Sequence, residues 1–236
     1  MNAALKRALV TGASSGIGES ISRRLMGLGW EVIGVARQSG IEKPSKCTHL
    51  LQQDLSRLEE LADFFKRVMV DYGPIDAVIG CAGQGSFGSL EETRYNDISA
   101  LINLNLVSQI YLAKAFIAKF KQQRRGDLIF IGSEAAHEAG RKGSVYCASK
   151  FGLRGFAKAL RMDTGNRGVR ISIINPGMVE SPFYDDLDFK PGEEQSQHLS
   201  VEDVADAVQM VITAPVTTVF DEINLSALNK VIDFKK

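Results

Sequence analysis

Short apolar runs alternate with amphipathic helical stretches along most of the chain. Ala8–Thr11 is an apolar run that ends in a glycine-rich loop. Beyond it Ile17, Ile21, Leu25 and Leu28 recur at helical spacing, and Gly29 stands where a helix would stop. Val32–Ala36 predicts a second strand, and His49–Gln53 a weaker third. Ser56-Arg-Leu-Glu59 has the form of a capping box and opens a predicted helix carrying Leu58, Leu61, Phe65, Val68 and Met69, closed by Gly73-Pro74. Ala77–Cys81 predicts strand four, 96–123 a long helix, Asp127–Gly132 strand five, Ser144–Thr164 a helix and Val169–Ile174 strand six. Ser200-Val-Glu-Asp203 caps a helix running to about Thr213, and Val219–Ile223 reads as a seventh strand. Repeated β-α units of this kind require a parallel sheet covered by helices on both faces. The expected fold is α/β, a doubly wound and mostly parallel seven-stranded sheet. No linker, repeat or low-complexity segment interrupts it, so residues 1–236 are read as one domain. The stretch 180–200 is the longest irregular segment, of a length that suits a functional lid or a plain surface loop.

Composition narrows the function by exclusion. The 236 residues carry 28 Lys plus Arg against 28 Asp plus Glu, so the net charge is zero. That removes the cationic field expected of a nucleic-acid binder. No uninterrupted 18-residue apolar run predicts a membrane span. Cys47, Cys81 and Cys147 form no C-x-x-C pair, and His49, His137 and His198 show no metal-ligand spacing, so no metal is expected. With no apolar signal-peptide core in Met1–Arg7, the expectation is a reduced cytoplasmic protein.

Candidate chemistry begins in the loop after the first strand. Thr11-Gly12-Ala13-Ser14-Ser15-Gly16-Ile17-Gly18 lies between strand one and helix one. Glycines there permit a tight turn and let backbone amides approach a pyrophosphate at the helix N-terminus, where the dipole favours an anion. The spacing is T-G-x-x-x-G-x-G. Together with Tyr146-Cys-Ala-Ser-Lys150, Asp54 after strand three, Cys81-Ala82-Gly83 after strand four, Asn105, Ser133 and Pro176-Gly177 after strand six, the chain resembles the short-chain dehydrogenase/reductase family from about Lys6 to Leu225. The resemblance implies a Rossmann domain carrying both cofactor and substrate sites. It implies hydride transfer between a nicotinamide cofactor and a carbonyl or alcohol.

Tyr146 and Lys150 are four apart in a predicted helix and share one face, about 6 Å apart along the axis. A tyrosine with its usual pKa of about 10 is a poor proton-transfer group at neutral pH, and a nearby ammonium lowers that value. Ser133 ends strand five, at the sheet edge where ligands bind, and its hydroxyl can orient a carbonyl. By resemblance Tyr146 is the acid/base, Ser133 positions the oxygen, Lys150 tunes Tyr146 and holds the ribose, and Asn105 bends its helix and supports a proton relay. Cofactor contacts implied are Gly12, Ser14, Ser15, Gly16, Ile17, Gly18, Arg37, Asp54, Leu55, Ala82, Gly83, Tyr146, Lys150, Pro176, Gly177, Val179 and Ser181. Asp54 is expected to face the adenine. Two departures stand out. Gly80-Cys81 replaces the family's usual Asn-Asn, which puts local sheet stabilisation in doubt, and Gly132 precedes Ser133 where another serine is common. Cys81 has no evident activating base and is read as inert. His137 is read as either a pocket residue or a surface histidine.

The cofactor choice turns on strand two. NAD-using dinucleotide folds place a carboxylate at its end. Here Ala36 stands in that place and Arg37 follows, with Ser14, Ser15 and Ser39 as further donors. NADP(H) is therefore expected over NAD(H). From Ile98 to Phe120 apolar residues point in nearly every direction, which predicts burial on two sides and a homodimer or homotetramer. From Glu180 to Asp206 nine acids face one base, Lys190, a field unfavourable to polyanionic substrates if this segment covers the site. Two other readings remain: a catalytically silent nucleotide-sensing protein on the same fold, and a sugar-nucleotide epimerase, for which the glycine spacing and a longer substrate domain would be expected to differ.

Overall fold

The computed structural model describes residues 5–37 and 47–235. Seven parallel strands form the central sheet: β1 (Arg7–Thr11), β2 (Glu31–Ala36), β3 (His49–Gln52), β4 (Ala77–Gly80), β5 (Gly126–Ile131), β6 (Val169–Pro176) and β8 (Glu222–Leu225). Their order is β3-β2-β1-β4-β5-β6-β8, so the winding reverses between β1 and β4. That reversal opens a crevice at the carboxyl ends of the strands. A smaller antiparallel pair joins β7 (Phe189–Pro191) to β9 (Ile232–Phe234).

Alternation along the strands divides the core. Leu9, Ile33, Val35, Val78, Leu128 and Phe130 pack with residues of α2 (Leu58–Tyr72), α4 (Ser108–Gln123) and α5 (Ser144–Thr164). Their neighbours Ala8, Val10, Val32, Ile79 and Ile129 point the other way, onto α1 (Gly16–Gly27) and α6 (Val201–Thr213). Burying both faces explains why these strands read as continuous apolar runs.

Four details differ from the sequence expectation. Ser56 does not cap α2. The helix starts at Leu58 behind Arg57, which makes no side-chain cap bond, while the Ser56 hydroxyl and amide both donate to Asp54 Oδ1, at 2.7 and 2.9 Å. An ionised acceptor two residues away holds Ser56 more strongly than a cap would. The seventh sheet strand lies a few residues further on than Val219–Ile223. The β7–β9 pair was not anticipated, because three-residue strands carry too little alternation to register. Finally, the long helix is two helices, α3 (Tyr95–Ile102) and α4, joined by a π-turn over Asn103–Val107. This continuous stretch, Tyr95–Gln123, reaches a mean hydropathy of 1.4 over 18 residues, long and apolar enough by length and composition to cross a membrane. Its buried polar residues Asn105, Ser108 and Gln109 hydrogen-bond inside the fold, as in the core helix of a globular domain. The capping box at Ser200 forms as expected, with Ser200 Oγ accepting from the Asp203 amide.

Candidate active site

The crevice begins as a groove of about 450 Å³ beneath the glycine loop. Thr11 is fully buried, and its hydroxyl accepts from the amides of Cys81 and Ala82 at 3.0 and 3.1 Å. This ties the turn after β4 to the loop after β1. Gly12 has φ +69°, and a Cβ there would stand 3.0 Å from the Ala82 Cα. A Cβ on Gly18 would overlap the Gly12 carbonyl, so only glycine lets α1 close onto β1. The groove is lined by Gly12, Ser14, Ser15, Gly16, Ile17 and Gly18, then by Arg37, Leu55, Ala82, Gly83 and Ser181 among others. Ser15 caps α1 without a side-chain bond, so the first turn of the helix borders the groove without competition from a cap. A glycine turn packed this tightly, ending at a helix N-terminus, fits the pyrophosphate of a dinucleotide. Arg37 lies exposed at the far end, and Ser39 falls outside the described residues.

Asp54 follows β3, between Gln53 and Leu55, which line the groove. Burial works to raise its carboxyl, but the Ser56 bonds and the charges of Arg37 and Arg57 hold it below the usual range. The Asn-Asn departure is compensated. With no side chain on Gly80, Gln109 lies against that backbone and donates from Nε2 to the Ala82 carbonyl at 3.1 Å. Thr11 and Gln109 thus hold the turn where the family's asparagine is missing. Burial pushes the Cys81 thiol up to about 12, in keeping with an inert cysteine.

Ser133, Tyr146 and Lys150 meet where the groove opens onto a second cavity. Ile17, Gly83, Pro176, Gly177, Val179 and Ser181 complete this junction. Ser133 accepts from the Ala135 amide at 3.1 Å and lines the junction together with Tyr146. Tyr146 and Lys150 are 6% and 7% exposed, so both work almost out of water. Lys150 Nζ stands 5.8 Å from the Tyr146 ring centre and donates to the Ile131 carbonyl at 3.2 Å. Burial pushes the Tyr146 phenol up to about 12, against the lowering influence of the Ser133 hydroxyl, and brings Lys150 down to about 8. The Lys150 ammonium is turned to a backbone carbonyl, and in the free protein desolvation prevails at the phenol. Asn105, 1% exposed, sits in the π-turn behind the junction. Its Oδ1 accepts from the Gln84 amide and its Nδ2 donates to the Gln84 carbonyl, both at 2.9 Å, and to Ser149 Oγ at 3.3 Å. Across Gly83, where a Cβ would stand 3.2 Å from Asn105 Oδ1 and 3.8 Å from Lys150 Nζ, the two side chains border the same space.

Beyond Tyr146 lies a cavity of about 690 Å³, walled by Phe87, Phe183, Tyr184, Phe189 and Phe234. None of these five residues was singled out from sequence. Tyr184 is the one among them with a hydroxyl, and burial raises its pKa. His137 borders neither site. Its Nε2 lies 2.9 Å from Glu222 Oε1 and 3.1 Å from the Asn175 amide, in a separate cavity behind Glu134 and Lys230.

A doubly wound parallel sheet with a glycine cradle at its switch point, and a Ser–Tyr–Lys cluster at the end of that cradle, defines a dinucleotide-dependent oxidoreductase. The family model for short chain dehydrogenase matches residues 6–190, and the chain belongs to that family. It is 31% identical over 232 residues to a sepiapterin reductase of Chlorobaculum tepidum, covering 92% of this chain and 94% of that one. It is 32% identical over 176 residues to carbonyl reductase family member 4 of Xenopus tropicalis, covering 73% and 75%. Among solved structures, an alcohol dehydrogenase of Thermococcus sibiricus complexed with 5-hydroxy-NADP superposes with a TM-score of 0.85 at 26% identity, over 96% of this chain and 99% of that one.

Proposed function

We propose that the protein is an NADP(H)-dependent reductase of small, uncharged carbonyl compounds, working reversibly on the corresponding alcohols. The observation that carries this reading is the convergence of Ser133, Tyr146 and Lys150 at the junction between groove and cavity. When bound, the cofactor supplies the hydride. Ser133 holds the carbonyl oxygen, and Tyr146 gives that oxygen its proton. With a pKa of about 12 in the free protein, the phenol is fully protonated at neutral pH, as the reductive direction needs. Lys150 holds the ribose and lends positive charge beside Tyr146. Asn105 keeps the π-turn and the Gln84 backbone fixed behind it. Gly12–Gly18, Ala82, Gly83, Pro176, Gly177, Val179 and Ser181 hold the rest of the dinucleotide.

The absence of a carboxylate at Ala36 and the presence of Arg37 support NADP(H) over NAD(H). So does the NADP-type ligand of the Thermococcus sibiricus relative. The chain is further read as a cytoplasmic homodimer or homotetramer. Tyr111 and Phe151, on α4 and α5, are 39% and 43% exposed, and Ile110 and Val107 beside them are half-buried. A second copy covering these helices accounts for that apolar surface. Consumption of reduced cofactor with a panel of ketones and aldehydes tests the reading. A protein that binds NADPH but turns over none of them is a nucleotide sensor instead. A monomeric mass in light scattering removes the assembly.

A further inference from the structure

The cavity beyond Tyr146 is lined by six aromatic rings, against three long aliphatic side chains, Met178, Leu187 and Ile232. The rings form one connected wall. Phe87 lies 5.2 Å from Tyr146 and meets Phe189 edge-on at 4.9 Å and 84°. Phe183 stands 6.2 Å from Tyr146 and 5.1 Å from Tyr184, which continues to Phe189 at 5.8 Å. Phe189 leads to Phe234 at 6.5 Å. The wall therefore starts at the proton donor and ends on β9.

Its outer part is held as a unit. The Lys235 amide donates to the Asp188 carbonyl at 2.8 Å, and its Nζ donates to the carbonyls of Tyr184 and Asp185 at 2.6 and 2.8 Å. These bonds fasten the β7–β9 pair to the turn bearing Phe183 and Tyr184. Phe234 remains 76% exposed at the rim, an apolar ring with little cover of its own. Charges around the rim are mixed. Lys230 pairs with Glu134 and Glu138, and Glu92, Asp186 and Asp188 stand with Arg141 and Lys142. Such a rim offers no strong field to an anionic substrate, and the acidic segment 180–206 does not dominate it.

Resting on the reductase reading, we propose that the substrate is an uncharged ketone or aldehyde bearing an aromatic ring, selected by Phe183, Phe189 and Phe234. Its carbonyl oxygen meets the Ser133 and Tyr146 hydroxyls, and its ring packs against the wall. Aromatic pairs gain edge-to-face attraction beyond area burial, whereas a saturated ring of equal size gains burial alone. The cavity is within the size range of sites that enclose a drug-sized ligand. In the reaction the hydride passes from NADPH to the carbonyl carbon, the C=O π pair becomes the alkoxide lone pair, and Tyr146 supplies the proton. Alcohol and NADP+ leave.

The test compares phenylacetone, cyclohexylacetone and acetone, whose carbonyls are all unconjugated. The expected result is a kcat/KM for phenylacetone several-fold above that for cyclohexylacetone. Phe189→Leu and Phe234→Leu keep apolar bulk but lose the ring, and each lowers that ratio by about two- to tenfold. Phe234 is exposed, so its variant folds even if Phe189→Leu does not. Saturation-transfer NMR with phenylacetone and NADP+ reads binding without turnover, and its signal concentrates on the ring protons. Equal rates for both cyclic ketones, with ratios unmoved in the variants, overturn aromatic selection and leave the reductase reading standing. Failure of all three ketones to react counts against the reductase reading itself and takes this inference with it.

Discussion

The groove beneath the glycine loop is built around short turns at the carboxyl ends of the strands. Gly12, Gly16 and Gly18 come from one eight-residue segment, and the turn at Ala82–Gly83 is tied to it by Thr11. The cavity across Tyr146 is walled by side chains drawn from Phe87, from the 183–189 segment and from Phe234, segments far apart in sequence. One half binds a ligand that many proteins share, so a local loop at a fixed place in the fold suffices. On the proposed function the other half takes the substrate, and it is assembled from whatever the connecting loops bring together. Tyr146 stands at the boundary and belongs to both.

The largest effect is expected at that boundary. Tyr146→Phe should lower turnover by roughly 10²–10⁴, the scale of a lost general acid, while NADPH affinity and thermal stability stay at wild-type values. Turnover near the wild-type rate would remove Tyr146 from the chemistry. Its pKa also sets a direction. A phenol near 12 in the free protein keeps its proton through the neutral range, so wild-type reduction should not fall with pH below about 9 on this group's account, while alcohol oxidation should rise with pH as phenolate forms. Matched pH profiles in both directions check this.

The groove half is sharpened by cofactor choice. A charge-assisted contact is worth about 1.5–3 kcal/mol, or roughly 10–150-fold in affinity. The wild type should therefore favour NADPH over NADH by at least about tenfold at low salt, and Arg37→Asp should move the preference toward NADH. Fluorescence titration with each reduced cofactor decides it, and equal or tighter NADH binding by the wild type would remove Arg37 as the discriminator.

The smallest effect lies on the scaffold that carries both halves. Glu222 on β8 accepts from Arg154 on α5 at 2.6 Å and pairs with Lys158 at 3.0 Å, fastening the Tyr146 helix to the sheet. Burial works to raise its carboxyl, but those two cations outweigh it and hold it at about 2. A depressed carboxylate contributes stability that is present above its usual value of 4.5 and is lost as pH falls toward 2. Glu222→Gln should cost about 1.5–3 kcal/mol in urea unfolding at neutral pH and flatten the acid loss below about 4.5. An unchanged acid profile would show that the pair does not hold the helix.

The sequence by itself determined the sheet, the order of its motifs and most of the groove. Strand-length apolar runs, the glycine spacing and the Tyr146–Lys150 interval are local patterns, and local patterns survive in one dimension. The hold of the Asp54 carboxylate on the amide and hydroxyl of Ser56, two residues on, could not be read from the sequence. Ser56 lost its capping role to the same bond. Tertiary structure alone decided the tyrosine's high pKa, since burial depends on what the whole fold excludes from water. It alone placed Gln109 over Gly80 in compensation for the missing asparagine. It also decided the aromatic wall. Phe87, Phe183, Phe189 and Phe234 follow no common period, and contacts between segments so far apart in the chain leave no signature in either segment.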